Sequence, residues 1–544
     1  MTTSRTPSYA GATTLQIHNP VLPGFHPDPS IVRVGDDYYL ATSTFEWYPG
    51  VRLHHSRDLV HWRVLSGALN ERRLIDLAGT PDSGGIWAPC LSHAHGRFHL
   101  IYTDMNSHGG GYWDAQNYLT TAAAITGPWS DPVPLHARGF DPSMFHDTDG
   151  SSWLLSMTAD WRPGRAAFAG IQLQRYDADA GRLTGAVDTI FAGTAAGVTE
   201  APHLYRVGGW YYLMTAEGGT SYEHQITVAR SRRITGPYEP DPDGPMLTSY
   251  GHPDLPLQKA GHGSLVETPG GEWYLAHLTA RPYTPLGRCV LGRETAIQPV
   301  RWTPDGWPRV DGGVPAVTVP GPDLPAHPFP QPPETDGFDA PELGPRWSTL
   351  RRPAGPDWLS LSARPSHLRI HGGQSPRGTQ RPSLVACRVT DPRCTLETVV
   401  EFDPASFRQL AGVTAYYNTR NWHFAYLTRA DDGRRVLEVL TGDDGVLVAH
   451  PGATVDTTGT GPVALAADLD GPVLRFRYDT GGGWRTLPVE LDATILSDEY
   501  AQVRTPAGVP EVWGFTGAFL GLWVQDLGAD GGYADFDHAR YRGG

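Results

Sequence analysis

Cysteine and methionine are scarce, with four and six in 544 residues. Cys90, Cys289, Cys387 and Cys394 form no Cys-x-x-Cys pair and no zinc-ligand spacing, so they read as reduced thiols of a cytoplasmic protein. No apolar run is long enough for a membrane-spanning helix. The opening MTTSRTPSYAGATTLQIHNP lacks the apolar stretch of a secretory leader. Charged residues make up only 19%, and no Lys/Arg run exceeds two. Long charged helix-forming runs are therefore missing, which excludes a coiled coil or a helical solenoid. Basic stripes are missing too, and with a net charge of −15 this argues against nucleic acid as a partner. The acidic balance favours a neutral or cationic ligand over a phosphorylated one.

Glycine (64) and proline (49) are abundant, and aromatic residues reach 10%. Many turns and many rings point to an all-β chain. The length predicts two to four domains.

Self-similarity narrows that range. Five stretches share one pattern: HPDPSIVRVGDDYYLATS from His26, WAPCLSHAHGRFHLIYT from Trp87, FDPSMFHDTDGSSWLLSM from Phe140, EAPHLYRVGGWYYLMTAEG from Glu200 and GHGSLVETPGGEWYLAHL from Gly261. Each starts at a small or acidic residue, runs through a short apolar strand and a polar turn, and ends in an aromatic-rich strand. Pro29, Pro89, Pro142, Pro202 and Gly263 mark the starts. Strand-like runs near Trp62, Trp129 and Tyr238 fill the intervals. About four strands per repeat of this length is the signature of a propeller blade, and five blades close into one ring. The predicted organisation is a five-bladed β-propeller over 15–315, a proline-rich linker over 316–335 and a β-sandwich over 336–544. The sandwich is read from period-two runs such as TLETVVEFD, GVTAYYNTR, WHFAYLTRA, RVLEVLTGD and LRFRYDT. GFTGAFLGLWVQDL is the most apolar segment and is assigned to a sheet core.

A propeller brings equivalent positions of its blades to one central cavity. That position is read as Asp28, Trp87-Ala88, Asp141, Glu200 and His262-Gly263 in blades one to five. Three carboxylates around one axis raise one another's pKa, so at least one should hold a proton near neutrality. An ionised base beside a protonated acid is the requirement for general acid–base catalysis. Asp before Pro is also a common turn starter, but Glu-Ala-Pro is not. Phe25, Phe45, Trp47, Trp87 and Phe140 flank these positions and suit the C–H faces of a sugar. Arg293 is a donor to a hydroxyl or a partner for a carboxylate.

The run NPVLPGFHPDPSIVRVGDDYYLATSTFEWYPGVRLHHSRDLVHW resembles the opening of the β-xylosidases of glycoside hydrolase family 43. IWAP, FDPSMF, TEAPHLY, GHGSLVET and LGRETAIQPVRW follow in the family's order, and GFTGAFLGLWVQDL carries the match into the second domain. The resemblance implies a concanavalin-like sandwich and an inverting, exo-acting enzyme. Its substrates would be β-1,4-xylooligosaccharides, with α-L-arabinofuranosides as companions. Asp28 would be the general base and Glu200 the general acid, and Asp141 would tune the acid's pKa and hold the sugar or Glu200 in place. The Asp28 and Glu200 carboxyls should stand roughly 6.5–9.5 Å apart to admit water. Arg293 would bind the terminal sugar, Phe45 and Trp87 would form apolar walls, and Phe515 would reach in from the second domain. His262 would line the central channel, either hydrogen-bonded there or associated with a calcium ion through waters; no other cofactor is implied. Relatives are often dimers or tetramers.

Three other readings compete with this one. The first is a predominantly α-L-arabinofuranosidase activity. A retaining propeller glycosidase is disfavoured because its Asn-Asp-Pro-Asn-Gly opening is absent. A non-catalytic carbohydrate-binding protein would have no need of a general base.

Overall fold

The computed structural model describes residues 15–109, 112–459, 461–504 and 510–544. Residues 1–14, which bear on the expected lack of a secretory leader, lie outside the described residues. The aromatic repeats each become one antiparallel sheet. Blade one comprises Ser30–Val34, Asp37–Thr42, Gly50–Ser56 and Arg63–Leu69, and blade two starts with Gly85–Ala94 and Arg97–Ser107. Blades three, four and five begin at Ser143–His146, Glu200–Val207 and Gln258–Glu267. Alternation explains the innermost hairpins: in Asp37–Thr42, Tyr38 and Leu40 are fully buried between blades while Asp37 and Tyr39 are only half-buried.

The ring closes through side chains as well as sheet. Ser264 of blade five accepts from the Ile31 amide of blade one at 3.2 Å. The Asn19 amide group donates to the carbonyls of Ile297 and Ala316, both at 2.9 Å, lacing the incoming chain onto blade five. Within the proline-rich stretch, Thr318–Pro320 pairs with Gln16–His18 as a short two-stranded sheet. This pairing uses an isolated edge, where proline costs no internal ladder bond.

The second domain is a sandwich of two antiparallel sheets, one of nine strands and one to which the domain itself contributes eight. Their sequences differ because their surroundings differ. Arg393–Glu401 alternates buried and half-exposed positions, as a strand with one wet face must. Phe519–Asp526 is buried at every position because its sheet packs on the sandwich core on one side and on the propeller on the other.

That sheet also takes a strand from the propeller: Trp47–Tyr48 pairs with Trp347–Leu350. Trp47 stacks on Phe519 with centroids 3.8 Å apart. Burying a ring such as Phe519 is worth roughly 1.5–3 kcal/mol. Charged ties surround this contact. Arg351 donates to the Thr80 carbonyl and to Asp82, each at 2.7 Å. Lys259, the chain's single lysine, is buried against Glu499. Gly292 sits where any Cβ would collide with the Thr516 carbonyl oxygen, so the sandwich can approach the bend carrying Arg293, just before the strand Glu294–Trp302.

Candidate active site

Asp28, Asp141, Glu200, His262 and Arg293 line one small cavity, walled by Phe45, Trp87, Phe140 and Phe515. A larger cleft lies between the domains near Arg52 and Trp347, but Glu342 is its sole acid. The cluster of carboxylates places the chemistry in the smaller cavity.

The three acids are not strictly equivalent, contrary to the repeat-based expectation. Asp28, Asp141, Ala201 and His262 share a positive φ (57°, 53°, 50° and 40°), and each directly precedes Pro29, Pro142, Pro202 or Gly263. Glu200 therefore stands one residue earlier in its blade than Asp28 and Asp141 do in theirs. The ladder register of Glu200–Val207 slips between Glu200 and His203, and this bulge turns the neighbouring position inward. A left-handed backbone at a residue with a side chain costs on the order of 1–3 kcal/mol, and here it recurs around the cavity floor.

Asp28 is the most heavily partnered acid. Ser43 donates to its Oδ2 at 2.6 Å, Arg293 Nη1 lies 3.2 Å from Oδ1, and His262 Nδ1 is 3.7 Å from the same oxygen. Burial works to raise its pKa, but Arg293, His262 and the Ser43 hydroxyl together outweigh it and hold Asp28 below the usual carboxylate range. Glu200 behaves in the opposite way. Burial, then the charges of Asp141 and Asp28, push it well above the usual range, and Arg293 offsets this only in part. Asp141 is raised by burial and by Asp28, although its Oδ2 accepts the Ala201 amide at 3.1 Å. That bond ties Asp141 to the backbone immediately beside Glu200. The cavity therefore favours the ionised form of Asp28 and the protonated form of Glu200, with Asp141 also pushed up, to about 8.

These shifts set a stability test. A carboxyl with a raised folded pKa keeps its proton while the unfolded chain ionises, so it destabilises increasingly as pH climbs above about 4. Glu200→Gln removes that penalty. It is expected to raise stability by roughly 1–3 kcal/mol at pH 8, with the gain shrinking toward pH 4. Thermal unfolding across that range checks it, and a gain independent of pH would contradict a protonated Glu200.

Arg293 is held on three sides. Nη1 donates to Thr220 at 2.8 Å and to Asp28, Nη2 donates to the Phe515 carbonyl at 3.0 Å, and the guanidinium lies 5.1 Å from the Phe515 ring centroid. Phe515 enters from the sandwich. Its ring is 5.9 Å from Phe45 and 5.4 Å from Trp87, and its amide donates to Ser83 at 3.1 Å. Phe25 and Trp47, grouped with the cavity rings on sequence grounds, do not line it. They pack against Phe519 of the sandwich, because the chain just before Asp28 and just after Phe45 turns toward the domain contact.

His262 lies at the axis with His203 and His224. Burial lowers all three pKa values, those of His203 and His224 to about 3, while the Asp28 charge partly offsets the lowering at His262. Calcium prefers roughly six to eight oxygen ligands. Among the described residues no group of three or more His, Cys, Asp or Glu is placed to hold a metal ion, and Asp28 is already engaged by Arg293. This donor set does not fit a directly coordinated calcium ion.

Ser43 and Thr220 are site residues that the sequence does not single out. Ser43 ends the first repeat stretch, just after the second strand of blade one, and Thr220 lies outside the repeats, in a loop after Trp210–Glu217. A hydroxyl at a second-strand end is the one signal that marks Ser43, whereas Thr220 has no such signal.

The family model for glycosyl hydrolases family 43 matches residues 17–308, and that for the beta xylosidase C-terminal concanavalin A-like domain matches residues 335–542. The chain is 45% identical over 539 residues to xylosidase/arabinosidase 43B of Humicola insolens, covering 97% of this chain and 98% of that one. It is 44% identical over 541 residues to a beta-xylosidase of Bacillus subtilis (97% and 100% covered). The crystal structure of a xylan beta-1,4-xylosidase from Bacillus halodurans superposes with a TM-score of 0.93 at 49% identity, covering 97% of this chain and all of that one.

Proposed function

The chain belongs to family 43 of the glycosyl hydrolases, and on that premise we propose that it is a β-xylosidase releasing xylose from the non-reducing end of β-1,4-xylooligosaccharides with inversion. The observation that carries the reading is the opposite pull on two carboxyls of one cavity: Asp28 is drawn toward its ionised form and Glu200 toward its protonated form. In the proposed step, water between Asp28 and the anomeric carbon gives its proton to Asp28 as its oxygen attacks. The glycosidic bond breaks on the opposite face, and the leaving oxygen takes the proton of Glu200. One bond forms and one breaks, and both protons are accounted for.

Asp141 supports the acid in two ways: its proximity raises Glu200, and its bond to the Ala201 amide holds the adjoining backbone. Arg293 keeps Asp28 ionised and has the position to meet a sugar hydroxyl. Phe45, Trp87 and Phe515 line the cavity and offer apolar surface for the C–H groups of a sugar. A small cavity walled partly by the second domain favours one terminal residue over the middle of a chain. Activity on α-L-arabinofuranosides is a companion proposal, supported by the similarity to a xylosidase/arabinosidase.

Proton NMR of xylobiose hydrolysis is the direct test. The first-formed xylose from the cleaved non-reducing end is expected as the α-anomer; initial β-xylose would overturn inversion. The ratio of kcat/KM on nitrophenyl β-xyloside to that on nitrophenyl α-L-arabinofuranoside should exceed one, and a ratio well below one would make arabinose the principal sugar.

A further inference from the structure

Two arginines meet at the domain contact with no acid between them. Arg52, on Gly50–Ser56, is 2% exposed, and Arg388, at the end of Leu384–Arg388, is 6% exposed. Both donate to the same hydroxyl, Ser348 Oγ, at 2.9 and 3.0 Å. Their remaining bonds go to carbonyls: Arg52 to Pro345 and Trp347, Arg388 to Phe25. His26 and His54 adjoin them, with imidazole centroids 4.7 Å apart.

The other buried arginine and lysine side chains among the described residues are each met by a carboxylate. Arg351 has Asp82, Arg352 has Asp357, Lys259 has Glu499 and Arg293 has Asp28. Arg52 and Arg388 have only neutral acceptors among the described residues. The cluster also holds buried nitrogens that have no hydrogen-bond partner: Arg52 Nε, Arg388 Nη2, His26 Nδ1 and both nitrogens of His54. Burying one uncompensated guanidinium is costly, and two adjacent ones repel each other as well. Unpaired buried donors add to that cost.

We propose that this cluster binds a small inorganic anion of the halide type between propeller and sandwich. Arg52 also borders the cleft between the domains, which gives a small solvated ion a route to the cluster. The available donors are all N–H groups, and a halide accepts several of these without a fixed direction. A bound anion supplies the missing counter-charge and stabilises the docking of the two domains. It also steadies the chain before Asp28, because Arg388 holds the carbonyl of Phe25, three residues upstream. An anion that binds the folded state alone raises stability by mass action.

The test compares thermal unfolding of the unaltered full chain in sodium chloride and in sodium gluconate at one fixed ionic strength. Chloride is expected to shift Tm upward by a few degrees and then saturate, and Arg388→Met should abolish the dependence. Crystals grown with sodium bromide should show an anomalous peak within hydrogen-bond distance of Arg52 and Arg388. Equal Tm values in the two salts, or bromide crystals without a peak in the cluster, would overturn the proposal. The bromide experiment needs no variant, so it decides the matter even if Arg388→Met fails to fold.

Discussion

Glu200→Ala is expected to lower kcat/KM on xylobiose on the order of 10²–10⁴-fold, the usual contribution of a general acid. A dinitrophenyl β-xyloside should lose far less. A departing sugar alkoxide needs a proton as its bond breaks, whereas a dinitrophenolate leaves readily without one. The acid must also be protonated to act, so the alkaline limb of the wild-type rate profile follows the raised Glu200–Asp141 pair. Loss of the acid should flatten that limb. Steady-state kinetics on both substrates across pH provides the check; equal losses on the two would remove Glu200 from the general-acid role.

The complementary expectation concerns the base. Asp28→Asn should cost on the order of 10²–10⁴-fold on xylobiose and on the activated aryl xyloside alike, because activation of water is needed whatever group departs. Asparagine tolerates the left-handed backbone at this position, so the fold should persist and KM should change less than kcat. In the wild type the base works when ionised. Arg293, His262 and Ser43 hold its pKa low, so activity should fall only as pH drops below the usual carboxylate range. A loss confined to xylobiose would reassign Asp28 to a binding role.

Asp28 and Asp141 were legible in the sequence because each stands before a repeat proline, where a propeller turns its backbone inward. Glu200 was legible as an acid in the same repeat, one residue further from its proline than Asp28 and Asp141; only the bulge in its strand explains how that position still faces the cavity. The rings divided less predictably. Phe45 and Trp47 are two residues apart, yet Phe45 faces the cavity while Trp47 stacks on Phe519. Spacing alone does not decide which of two nearby buried rings meets a ligand and which meets a second domain.

Local chemistry determined the architecture. Frequent glycine and proline set short, turn-bounded strands, and a pattern recurring five times requires a ring because a single four-stranded sheet leaves its faces uncovered. Period-two patterning likewise set the strands of the sandwich. The tertiary structure alone decided the protonation of the acids, the entry of Phe515 into the cavity and the strand that Trp47–Tyr48 lends to the neighbouring sheet. It also brought Arg52 and Arg388, 336 positions apart in the chain, onto one serine hydroxyl. The division has a physical cause. Strand and turn preferences act over a few neighbouring residues, whereas a pKa or a counter-charge depends on burial and on distances between residues that are far apart in the chain.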